Sequence, residues 1–185
     1  VFTSDSDVSA GRTFAAEVRA SVPETRVLPI SPATPRERLD SLLRPGERVV
    51  LATFVRTIEG LGRFAVGEHV AQWVDSVAIS RPVTVVSFSN PYVVREFGWI
   101  SGYVATYGRG DAVERAAARA LVGRIPFHGR APITLPGFFQ TGDGAVQDIR
   151  DAFRYEWRLW SLAELTAACT AAGFSTVQIW RHTYD

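Results

Sequence analysis

Two short stretches of this chain bring together residue types that can do chemistry. The first is RTIEGLGR, Arg56–Arg63, which sets Glu59 between two arginines directly after an apolar run. Positive charge on both sides lowers a carboxyl pKa, so Glu59 suits a base, a nucleophile or an ion-pair partner better than a general acid. A solvated loop with a surface ion pair accounts for the same residues. The second is Asn90-Pro91-Tyr92, where the apolar run VVSF stops. Asparagine is a favoured helix N-cap, and proline fits the first helical position, where no amide hydrogen is missed. The tripeptide therefore reads as a capped strand-to-helix joint. It also falls at the carboxyl end of a strand, the edge where open α/β sheets place ligands. Arg56, Glu59, Asn90 and Tyr92 are accordingly the candidate substrate-binding residues; none is assigned a catalytic role.

Other patterns fail on context. Gly60-Leu61-Gly62-Arg63-Phe64-Ala65 matches G-x-G-x-x-A, but a dinucleotide loop follows its strand at once and needs an acidic residue at the end of the next strand. Here the next strand ends in Ser87, Phe88 and Ser89. Arg109-Gly110-Asp111 spells an adhesion tripeptide, yet a glycine turn followed by an aspartate cap explains it. His69, His128 and His182 lie far apart, and no second ligand stands beside any of them at metal spacing. No G-x-S-x-G elbow occurs. Neither a cofactor nor a metal is expected.

The elements that must position these residues alternate along the chain. A strand stub over Val1–Ser4 precedes a helix over Ser9–Ala20, with Phe14, Ala15 and Val18 on one face. Thr25–Ile30 is a short strand candidate. Thr34 caps a helix from Pro35 to Leu43, with capping-box spacing to Glu37. Glu47–Phe54 is a near-continuous apolar strand, the pattern of a parallel strand covered on both faces. Phe64–Ile79 is helical, with Val66, Val70, Trp73, Val74 and Val77 at helical spacing, which reads Trp73 as core. Pro82–Phe88 is a strand, Pro91–Phe97 a short helix and Ser101–Thr106 a weaker strand. Asp111–Leu121 is an alanine-rich helix with capping spacing from Asp111 to Glu114. Such alternation predicts an α/β fold, a three-layer αβα sandwich around a mostly parallel open sheet.

Composition narrows the function classes. The hydrophobic share of 46% and charged share of 21% are those of a globular protein, and a net charge of +1 carries no nucleic-acid-binding signal. All 20 basic residues are arginine, which disfavours mechanisms built on a Schiff-base or P-loop lysine. A lone Cys169 excludes an intrachain disulfide framework. No apolar stretch approaches the roughly 18 residues of a membrane span, so no membrane partner is expected. Met is absent and Val1 opens inside a strand-like stretch, which suggests a fragment of a longer protein.

Three separated segments carry a family resemblance: SFSNPYVVREF (Ser87–Phe97), SGYVATYG (Ser101–Gly108) and ERAAARALVGRIPFHGRAPITLPG (Glu114–Gly137). In that order they resemble the C-terminal α/β sandwich domain of family 3 glycoside hydrolases, in its bacterial β-N-acetylhexosaminidase-like branch. Ser89 stands where the family usually has glycine. The resemblance covers residues 1–137. It implies a partner, an N-terminal β/α barrel that carries the nucleophilic aspartate and takes the carbohydrate substrate. In the hexosaminidase branch the proton donor also comes from a barrel loop; in the β-glucosidase branch a glutamate of the second domain serves. Glu59 matches no alignable motif, so no such role passes to it. Retaining hydrolysis needs two carboxyl groups about 5 Å apart, and the chain alone is expected to be inert.

The chain then changes character. Residues 138–149 read as a linker. Residues 150–185 form a candidate β-α-β appendage: Arg154–Trp160 extended, a helix from the Ser161–Glu164 capping box to Ala172, and a strand over Ser175–Thr183. FRYEWRLWSLAELTAACTAAGFSTVQIWRHTYD, Phe153–Asp185, resembles the C-terminal end of a class I S-adenosylmethionine-dependent methyltransferase, without that family's glycine-rich cofactor loop. This tail is either a natural fusion or a junction artefact. Three functional readings follow: an accessory domain of an exo-acting glycosidase, a methyltransferase fragment, and a non-catalytic small-ligand- or protein-binding α/β module.

Overall fold

The computed structural model describes residues 2–3, 9–55, 66–88 and 90–144. The chain divides into units 1–152 and 153–185; the second, with the β-α-β appendage expected there, lies outside the described residues. In chain order the elements are β1 (Phe2–Thr3), α1 (Arg12–Ser21), α2 (Arg36–Asp40), β2 (Val49–Phe54), α3 (Glu68–Ser80), β3 (Val83–Ser87), a 3-10 helix (Pro91–Glu96), β4 (Gly102–Ala105) and α4 (Asp111–Leu121).

The protein has an α/β fold. Its four strands lie in the order β1-β2-β3-β4, and every neighbouring pair is parallel. Side chains alternate across each strand, and both faces are apolar because both are covered. On one face Leu51, Val55, Val83 and Val85 pack with Leu39 of α2, with Val70, Trp73 and Val74 of α3, and with Val93 and Phe97. On the other, Ala52, Phe54, Val86 and Phe88 pack with Phe14 of α1 and with Ala117 and Ala118 of α4. This is the three-layer arrangement that the apolar strands and amphipathic helices predict.

Four local expectations need correction. Thr25–Ile30 is not a strand; only Ile30 reaches a bridge, and Arg26 instead projects to the Glu47 carboxylate at 2.6 Å. The helix predicted over 35–43 is the single turn and a half of α2, Arg36–Asp40. Thr34 does not cap it: its Oγ1 accepts from the Ser31 amide at 2.9 Å, closing a turn of its own. Asp111 does not cap α4, whose N-cap Gly110, at φ +107°, has no side-chain cap bond. Short polar side chains satisfy whichever donor the surrounding fold offers, and spacing alone does not show which one that is.

Polar contacts tie the outer elements down. Asp75 of α3 accepts from the Gly98 amide at 3.0 Å and the Trp99 amide at 3.2 Å, fixing the turn into β4. Glu17 of α1 pairs with Arg119 of α4 at 2.6 Å and with Arg115 at 3.4 Å. The Arg119 hydrogen bond holds the Glu17 carboxyl below its usual range, ahead of the smaller attraction of the neighbouring arginines.

Candidate functional site

The described part of the site is the carboxyl edge of β3 and β4. Val86 and Phe88 bury the end of β3 in the core. Asn90 makes the turn: its Oδ1 accepts the Tyr92 amide at 2.9 Å, and Pro91 occupies the first position of the 3-10 helix. The cap predicted at Asn90 is therefore present. A Ser87 hydroxyl buried at the strand end donates to the Asn90 carbonyl at 2.6 Å. Tyr103, from β4, donates its hydroxyl to the Pro91 carbonyl at 2.9 Å. The Thr106 amide reaches the Ser87 carbonyl at 3.0 Å, and Thr106 Oγ1 lies 2.8 Å from the Gly108 carbonyl. These bonds fix the shape of the edge.

Loss of the Asn90 cap tests that description. Asn90→Ala is expected to cost about 1 kcal/mol of folding stability, while Asn90→Asp or Asn90→Ser keeps an acceptor and recovers most of it. Urea denaturation of the three variants reads the difference.

Tyr103 supplies a second check. Burial pushes its hydroxyl up to about 12 from 10.0, against the opposing pull of its hydrogen bonds. The unfolded tyrosine ionises near 10 while the folded one resists, so this contribution is complete below pH ~10 and is lost as pH rises towards ~12. Stability should fall across that interval, and Tyr103→Phe should flatten the fall. Tyr107 is raised too, by burial and then by the nearby Tyr92 hydroxyl, so part of the slope persists in that variant.

Two carboxylates also stand near this edge, and both serve α1. Glu114 Oε2 accepts the Phe14 amide at 3.0 Å, and Asp111 Oδ1 accepts the Thr13 hydroxyl at 2.9 Å. Glu114 is 7% exposed. Its partner is thus the first turn of α1, not of its own helix.

Of the four candidate binding residues, Asn90 and Tyr92 sit together on the joint after β3. Arg56 and Glu59 lie outside the described residues. Two residues that the sequence did not single out belong with the first pair. Tyr107 follows β4 as Tyr92 follows β3, and the Arg95 guanidinium lies 5.6 Å from the centre of the Tyr92 ring. The signal was an aromatic residue just beyond each of two apolar runs; only the pairing of β3 with β4 shows that the two follow neighbouring strand ends. Among the described residues no group of three metal-ligating side chains converges, and no helix is long and apolar enough to cross a membrane.

No protein-family model, no curated protein and no solved structure matches the chain.

Proposed function

We propose that residues 1–137 are the accessory C-terminal α/β domain of an exo-acting glycoside hydrolase, of the β-N-acetylhexosaminidase-like branch of family 3. The domain borders a sugar site whose catalytic groups sit on an N-terminal β/α barrel. One observation carries the reading: the three segments that resemble that family fall on successive elements of one layered α/β unit. SFSNPYVVREF spans the end of β3 and the 3-10 helix, SGYVATYG spans β4, and the alanine-rich start of the third segment, Glu114–Leu121, lies in α4. Sequence order, element type and turn chemistry then agree with one another, as they do in a sequence suited to its fold. Glycosidic hydrolysis by retention needs paired carboxyl groups about 5 Å apart. Asp111 and Glu114 are engaged with α1, which supports a bordering role for this edge over a catalytic one.

Reading the coding sequence upstream of Val1 tests the proposal. A β/α barrel with a lysine-histidine-phenylalanine-proline-glycine segment is expected; a glycine-rich S-adenosylmethionine loop would overturn it. The purified chain should also leave a chromogenic β-N-acetylglucosaminide intact, and robust turnover would show that the catalytic pair lies within these residues after all.

A further inference from the structure

The neighbouring strands β3 and β4 are followed by elements on opposite faces of the sheet. After β3 the chain enters the 3-10 helix, whose Val93 and Phe97 pack on the α3 side. After β4 it crosses to α4, whose Ala117 and Ala118 pack on the α1 side. Adjacent parallel strands whose connections leave to opposite faces open a crevice at their carboxyl ends, and open α/β sheets bind ligands in such crevices. The two strands here are registered Ser87 against Ala105. Tyr92 stands on the β3 side of the crevice and Tyr107 on the β4 side. They are 37% and 39% exposed, so neither ring is used up in the core.

Tyr107 is held at a cost. Its φ of +55° makes it the single non-glycine residue with positive φ among those described. Left-handed backbone disfavours an L-residue by about 1–2 kcal/mol, and glycine would occupy the position freely. Backbone outliers of this kind cluster at binding and catalytic sites. Tyr92 is steadied differently, by the Arg95 guanidinium near its ring.

We propose that Tyr92 and Tyr107 form an aromatic platform for a neutral pyranoside ring at the β3–β4 crevice. An aromatic face carries partial negative charge, which attracts the weakly positive axial C–H groups of a pyranose. The Tyr107 hydroxyl can bond the ring's equatorial hydroxyls. The choice of a sugar as the ligand, and of an N-acetylated sugar as the probe, rests on the proposed glycosidase function.

The test uses the whole chain and titrates β-1,4-linked N-acetylglucosamine trimer by calorimetry, with adenine as a flat, non-sugar control and sedimentation velocity in parallel. Trimer binding is expected, with saturation transfer from the tyrosine ring protons to the sugar. Tyr92→Ala and Tyr107→Gly should each weaken it about fivefold to tenfold, in the range of an aromatic contact. Tyr107→Gly should also melt at the same temperature as the parent or higher, because the strain is relieved; a purely structural Tyr107 would lower the melting temperature. No trimer binding, adenine binding of equal strength, or a dimer lost in Tyr107→Gly would each overturn the platform. So would trimer binding unchanged in Tyr92→Ala, whatever the stability of Tyr107→Gly. A barrel found upstream with no tyrosine-dependent binding would remove the platform and leave the accessory-domain function standing. Tyrosine-dependent binding with no barrel upstream would do the reverse.

Discussion

Phe88→Ala is expected to remove about 4 kcal/mol of folding stability, well beyond the loss of the Asn90 cap. Phe88 is fully buried. Its ring stacks on Phe54, centroids 4.5 Å apart and planes 5° from parallel, and meets the edge of Phe14 at 5.5 Å and 74°. The three rings join the ends of β2 and β3 to α1. Truncation loses the transfer energy of the ring and leaves a hole lined by two aromatics that cannot both move inwards. Because domains of this size are stable by only about 5–15 kcal/mol, the variant should sit near the edge of folding at 37 °C. Urea denaturation measures the shift in midpoint; Phe88→Leu, which refills part of the volume, should recover more than half of it. A loss under about 1 kcal/mol for Phe88→Ala would contradict the packing described.

Glu114→Ala is expected to cost about 2 kcal/mol by a different route. The substitution deletes no large apolar group. It leaves the Phe14 amide, now bonded to Glu114 Oε2 at 3.0 Å, without its acceptor in a covered position. A buried donor left unpaired costs its desolvation in full. It also withdraws a carboxylate from the positive end of α1. Glu114→Gln keeps an acceptor oxygen and should cost roughly half as much. Thr13→Val combined with Glu114→Ala should show less than the sum of the single losses, because both groups serve the same turn of α1. Denaturant midpoints of the four proteins supply the cycle.

The layered fold was largely legible in the residues. The runs ending at Phe54 and Phe88 are apolar at nearly every step because each strand is covered twice, and α4 occupies the very span that its alanine-rich pattern predicts. Asn90 was legible as a cap because the donor it satisfies lies two residues away. Asp111 and Glu114 were not, since their partners Thr13 and Phe14 lie 98 and 100 positions distant. Thr25–Ile30 misleads for a related reason: β-branched and apolar residues suit a strand, but strand formation needs a neighbour with free edge groups. The residues that surround the β3–β4 crevice come from two separate turns. Each turn looks like an ordinary connection until the register of the strands is known.

The order of the strands has a consequence for how the chain assembles. Each strand pairs with its predecessor in sequence, so the sheet can grow by steps of 51, 34 and 18 positions between registered partners. The α1–α4 seam is different: its contacts, from Thr13–Asp111 to Arg124–Ala20, join residues 98 to 104 positions apart. Closing so long a loop yields nothing until nearly everything between is in place. The seam is therefore expected to form after the rate-limiting barrier, behaving as a clasp. Changes at Glu114 or Glu17 would then hasten unfolding and leave the folding rate almost untouched.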